Sequence, residues 1–108
     1  MNVETHIAQQ HNSKHLVQIA LAGEFDALAC SEIRVTFEQC VVEHPGSTVH
    51  INMHDVSFID SSGIGALVFL FKRMSETGGS ISLNNVAGQP EELLRLLRVD
   101  QAFDVQYV

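Results

Sequence analysis

A serine at the start of a helix can act as a nucleophile, cap the helix or accept a phosphate, and the run Asp60-Ser61-Ser62-Gly63-Ile64-Gly65 admits all three. It follows the apolar stretch Val56-Ser57-Phe58-Ile59 and leads directly into a helical pattern. Two glycines in a first helical turn cost about 1 kcal/mol each relative to alanine. In exchange they leave backbone N–H groups open to an anion or a close partner. Ordinary capping uses the same residue types. A phosphate on one serine would meet free N–H groups and the positive end of the helix dipole. The nucleophile reading fails on spacing. An esterase elbow needs glycine two residues to either side of the serine, but Ile59 and Asp60 stand two before Ser61 and Ser62. No G-x-x-x-x-G-K-[ST] phosphate loop is present either.

The remaining chemistry-bearing residues read more blandly. His50 and His54 are four apart, but His50 falls in a strand pattern, where that spacing does not bring two rings to one metal. His6, His11 and His15 lie near a turn without cysteine or carboxylate company, so solvated or edge histidines are expected. Glu24, Asp26, Asp55 and Asp60 are all expected just beyond the carboxyl ends of strands and could share an edge with Ser61. Acidic groups in a row can hold Mg²⁺, but loop carboxylates are more often caps, so no metal or cofactor is expected. Cys30 and Cys40, ten residues apart on a helical stretch, would sit about 15 Å from each other. That separation forbids a disulfide between them and predicts two buried thiols in a reducing compartment.

Composition narrows the partners. With 6 Lys and Arg in 108 residues and a net charge of −7, the chain lacks the basic patch that nucleic acid or anionic lipid demands. The longest apolar stretch, residues 64–71, is far too short to span a bilayer and is followed by Lys72-Arg73, so no membrane insertion is expected. Met1 leads into Asn2-Val3-Glu4 with neither a basic start nor an apolar signal core, which predicts a cytoplasmic location.

The elements that must carry the serine run follow from periodicity. Residues 3–9 form a weak strand, His11-Asn12-Ser13-Lys14 a turn, and residues 16–22 an alternating strand, so the first two strands should pair antiparallel. Over 27–44, Cys30, Ile33, Phe37, Cys40, Val41 and His44 recur at helical spacing until Pro45-Gly46 stops the helix. Residues 48–53 alternate again, and a second helix over about 62–77 ends at Gly78-Gly79. A strand around Ile81 and Leu83 follows. Pro90 then opens a third helix, whose Leu93, Leu94, Leu96 and Leu97 supply an apolar face, and residues 104–108 form a last strand. The order β-β-α-β-α-β-α-β predicts a single α/β domain with a mixed, mostly parallel sheet. Because its strands alternate, one sheet face should lack helices, giving a two-layer sandwich with all helices on the other. On the second helix, Ile64, Leu67, Val68, Phe71 and Met74 should face the sheet. Gly65, Phe69, Lys72 and Glu76 should face away.

Gly23-Glu24-Phe25-Asp26 closing the second strand, Asp60-Ser61-Ser62-Gly63-Ile64-Gly65 opening the second helix, and Gly78-Gly79 before the fourth strand together resemble a STAS domain. The similarity covers about residues 3–105 and is strongest to the stand-alone anti-sigma factor antagonists of bacteria. It implies a partner-switching regulator and not an enzyme. Unphosphorylated, such a protein binds a serine kinase that doubles as an anti-sigma factor; the kinase phosphorylates the first serine of the motif, here Ser61, and a metal-dependent serine phosphatase reverses the modification. Asp60 resembles the aspartate that contributes to kinase binding. Asp26, Ser62, Gly63, Gly65 and Phe69 complete the expected partner-binding set. Family members commonly continue into an amphipathic helix after the last strand, and no such segment follows within these 108 residues. A second reading from the same resemblance is a small subunit docking on the ATPase of a lipid-transporting ABC system. Those subunits tend to replace the second serine, which Ser62 retains here.

Overall fold

The computed structural model describes residues 1–9 and 15–108, with the backbone alone for residues 8, 9 and 15. The turn expected at His11-Asn12-Ser13-Lys14 lies outside the described residues. Strand β1 (Asn2–Gln9) pairs antiparallel with β2 (His15–Phe25), from Asn2 opposite Ala22 to Gln9 opposite His15. Helix α1 (Ala27–Glu43), β3 (Thr48–Ile59), α2 (Ser61–Glu76), β4 (Ser80–Val86), α3 (Gly88–Leu96), a short 3-10 helix (Val99–Gln101) and β5 (Asp104–Tyr107) follow.

The five strands lie in sequence order, and β2 through β5 are parallel neighbours. This order decides where the helices go. Parallel β-α-β crossovers are right-handed as a rule, and here each steps the same way across the sheet, which puts all three helices on one face. Val17, Ile19 and Leu21 of β2 and Val49, Ile51 and Met53 of β3 point into that layer, with none more than 2% exposed. Ile33 and Phe37 of α1, Leu67, Leu70 and Met74 of α2, and Leu94 of α3 close over them. The opposite face is polar. Glu4, His6, Gln18, His50, Asn52 and Asn84 line a shallow depression there of about 390 Å³.

Two features of β3 differ from the sequence expectation. Its alternation stops at Met53, yet the strand continues for six more residues to Ile59. The cause lies in its pairing with β2, where Ala20 opposes Asn52 but Ala22 opposes Asp55, and Gly23 opposes Val56 but Glu24 opposes Phe58. Each slip adds one residue to β3, so its buried positions recur every third residue, at Met53, Val56 and Ile59. On its other side β3 loses β4 after Asn52 opposite Asn84. There Asn85 adopts φ 59° and its side-chain amide donates to Asn52 Oδ1 at 3.1 Å, which marks where β4 departs.

The apolar face expected on α3 is narrower than four leucines. Leu94 is buried and Leu93 half-buried, but Leu96 and Leu97 are 76% and 50% exposed. Four leucines within five residues spread over about 160° of a helix's circumference, wider than the strip that meets the sheet. Helix α1 carries a further apolar stripe on its outer side, where Leu28, Val35 and Val42 stand exposed at seven-residue spacing. Helix α2 ends as its glycines require. Gly78, at φ 81°, donates to Ser75 O at 3.1 Å while Gly79 N–H reaches Met74 O at 2.8 Å, the paired bonds of a Schellman motif.

Candidate functional site

The serine run sits at one end of the sheet, where β2 and β3 finish side by side. Phe25 pairs with Ile59, and both are fully buried. The next residue on each chain, Asp26 and Asp60, is extended and caps a helix. Asp26 Oδ1 accepts from Ala29 N–H at 3.0 Å. Asp60 Oδ1 accepts from both Ser62 N–H at 2.9 Å and Gly63 N–H at 3.1 Å. Asp60 N–H is tied back to Phe25 O at 3.3 Å, so the two helix starts are joined through the backbone.

This arrangement corrects the expectation of a bare helix N-terminus. The N–H groups of Ser62 and Gly63 already serve the Asp60 carboxylate, so a phosphate on Ser61 would have to compete for them. Ser61 itself is exposed as the first residue of α2, and Ser62 is half-buried. The two glycines play different parts. Gly63 is buried, and a Cβ there would stand 2.7 Å from Phe25 O and 2.7 Å from Ile59 Cγ1, so its lack of a side chain lets α2 sit on the sheet end. Gly65 is exposed, with open space where a Cβ would be.

Phe69 does not face wholly away from the sheet. It is half-buried at the flank of α2 toward α1, packed against the core, with the Arg34 guanidinium 5.4 Å and that of Arg73 5.6 Å from its ring centroid. On the other flank Phe71 packs on Phe103 with centroids 5.1 Å apart.

The four carboxylates do not converge. Asp26 and Asp60 each turn to their own helix, and Glu24 is exposed one residue before the end of β2. Asp55 lies inside β3 and not beyond its end, four residues or about 13 Å short of Ile59. Its carboxylate meets His54 Nδ1 at 2.8 Å on the exposed surface. Among the described residues no group of three His, Cys, Asp or Glu side chains gathers as metal ligands would. Cys40 is buried, and that burial, with Glu43 adding to it, pushes its thiol up to about 11; Cys30 is only half-buried.

Sequence reasoning missed Gln89. This second residue of α3 reaches the end of β3 and makes two hydrogen bonds to one residue. Its Oε1 accepts from Ile59 N–H at 2.9 Å and its Nε2 donates to Ile59 O at 2.8 Å. In a parallel ladder the N–H and C=O of one residue point to the same neighbour. The Gln89 amide therefore takes the place of the strand residue that β4, having turned away, no longer supplies.

The exposed serine thus stands on a capped helix start, at the end of a one-sided α/β sandwich. The STAS domain family model matches residues 6–107, and the chain belongs to that family. The anti-sigma-B factor antagonist of Bacillus subtilis (strain 168) is 32% identical over 106 residues, spanning 97% of this chain and 89% of that protein. Among solved structures, an anti-sigma factor antagonist from Mycobacterium paratuberculosis superposes with a TM-score of 0.71 at 19% identity, covering 97% of this chain and 86% of that one. SpoIIAA of Bacillus in its phosphorylated form gives 0.66 at 21% identity, covering 94% and 90%. At such identities the two structures share the fold. No helix among the described residues is long and apolar enough to cross a membrane.

Proposed function

We infer that this protein is a phosphorylation-switched anti-sigma factor antagonist. Unphosphorylated, it binds a serine kinase that also serves as an anti-sigma factor. Phosphorylation of Ser61 by that kinase ends the binding, and a metal-dependent serine phosphatase restores it. The protein acts as substrate and not as catalyst. The observation that carries this reading is Ser61 standing exposed at the first position of α2, directly after Asp60, in a chain 32% identical to an anti-sigma-B factor antagonist.

The sign of the switch follows from charge. Phosphate brings about −1.5 to −2 charges at neutral pH. It would stand beside an Asp60 carboxylate that already occupies the nearest N–H groups, on a chain of net charge −7. The dipole term at an exposed helix start is about 0.3–1 kcal/mol, too small to refold the domain. Burying an imperfectly paired dianion under a partner costs several kcal/mol. Partner contact therefore gives way while the backbone stays. In this reading Asp26, Asp60, Ser61, Ser62, Gly65 and the exposed edge of Phe69 meet the partner, and Gly63 contributes by letting α2 seat closely. Incubation with the cognate kinase and ATP, followed by mass-spectrometric mapping, should place one phosphate on Ser61 and none on the Ser61→Ala variant. Modification confined to Ser62, or none, removes the reading.

A further inference from the structure

We propose that Gln89 is a positioning residue: its side-chain amide, bonded to both backbone groups of Ile59, sets the place of the Asp60–Ser61 turn and so the presentation of Ser61. The proposal rests on the phosphoacceptor reading of Ser61 for its consequence but not for its geometry. Ile59 is the last residue of β3, and only Asp60 separates it from Ser61. On the β2 side this end is held by Phe25 opposite Ile59 and by the Asp60 N–H bond to Phe25 O. On the β4 side the last strand pair is Asn52 with Asn84, seven residues before Ile59. Gln89 is the group that holds Ile59 from that side, through bonds of 2.9 and 2.8 Å. Ile59 is fully buried, so without the amide its N–H and C=O would lose their partners away from water.

The bond pattern dictates which substitution separates positioning from stability. Gln89→Glu keeps an acceptor for Ile59 N–H but loses the donor to Ile59 O and sets a negative charge against that carbonyl. At the second position of α3 the same charge is favoured by the helix dipole, which offsets the cost to the fold. Gln89→Leu removes both bonds at similar volume and serves as the second variant.

Amide hydrogen exchange, on the protein alone, reads the geometry. In Gln89→Leu exchange at Ile59 should quicken about tenfold, the weight of one lost hydrogen bond, and in Gln89→Glu, which keeps the acceptor for that N–H, it should quicken less. The N–H groups of Ser62 and Gly63 should quicken as well. These bond Asp60 and not Gln89, so they respond only if the turn shifts as a unit. With the cognate kinase, Gln89→Glu should lose about tenfold in kcat for Ser61 phosphorylation with KM changed less, since alignment of the Ser61 hydroxyl is more sensitive to a small shift of the turn than contacts spread over the docking surface. Unchanged exchange at Ser62 and Gly63 overturns the proposal, as does faster exchange with kinase kinetics like wild type. Should the wild-type chain take no phosphate at Ser61, the phosphoacceptor reading fails by itself, and the exchange pattern still decides whether Gln89 positions the turn.

Discussion

Replacing Asp60 by alanine removes the one acceptor shared by Ser62 and Gly63 N–H at the start of α2. Loss of an N-cap of this kind costs about 0.5–2 kcal/mol, and serving two N–H groups at a half-buried position sets the expectation near 1.5 kcal/mol. For a domain of this size that lowers the midpoint by roughly 5–10 °C. Asp60→Asn keeps an acceptor of similar capping strength and should lose no more than the dipole contribution, about 0.3–1 kcal/mol. Urea denaturation of the three proteins gives these values directly. The same series with Ser61 phosphorylated tests the electrostatics. In the wild type the phosphate faces an occupied cap and a like charge, so it should be neutral to mildly destabilising. In Asp60→Ala the N–H groups are free, and the phosphate should take them over and restore about 0.5–1 kcal/mol. A phosphate effect of equal sign and size in both backgrounds would refute the claim that Asp60 competes with it.

Gly63→Ala should cost about 1–3 kcal/mol, because its Cβ would meet Phe25 O and Ile59 Cγ1 at 2.7 Å, whereas Gly65→Ala should gain up to about 1 kcal/mol in open space; denaturation midpoints moving together would contradict this. Phe69→Ala should weaken kinase binding by about 1–3 kcal/mol and also lower stability by about 1 kcal/mol, since the ring packs on the core under Arg34 and Arg73; stability loss with unchanged affinity would make Phe69 structural only. Thiol reagents at pH 8 should modify Cys30 before Cys40. With the Cys40 thiol raised to about 11, the folded chain holds a proton that the unfolded chain has released, so its contribution to stability falls between about pH 9 and 11 and should vanish from the profile in Cys40→Ala.

Much of this architecture could be read from local patterns. The helical spacing of Ile33, Phe37, Cys40 and Val41, the Gly78-Gly79 stop and the Asp60-Ser61 start all rest on neighbours within a turn or two, and these elements formed where expected. The direction of the first strand pair followed from so short a connection, and the one-sided helical layer from strand alternation. What the sequence hid depends on distant partners. The extension of β3 past Met53 needs the two slips against β2, which break the alternation that marks a strand. The occupancy of the helix N-terminus depends on the rotamer of Asp60. Gln89 acts across 30 residues of chain, and nothing in Gly88-Gln89-Pro90 distinguishes it from an ordinary first turn. The leucines of α3 misled because leucine's high intrinsic helix propensity favours it at helical positions whether or not they are buried.

The partner-switching account stands most directly on the affinity of the two forms of this protein for the serine kinase. Titration calorimetry with unphosphorylated protein, Ser61-phosphorylated protein and the Ser61→Ala variant measures it. Loss of several kcal/mol predicts at least about 100-fold weaker binding by the phosphorylated form, with Ser61→Ala close to the unphosphorylated protein. Equal or tighter binding by the phosphorylated form would mean that the partner receives the phosphate in a basic pocket, and the switch would run in the opposite direction.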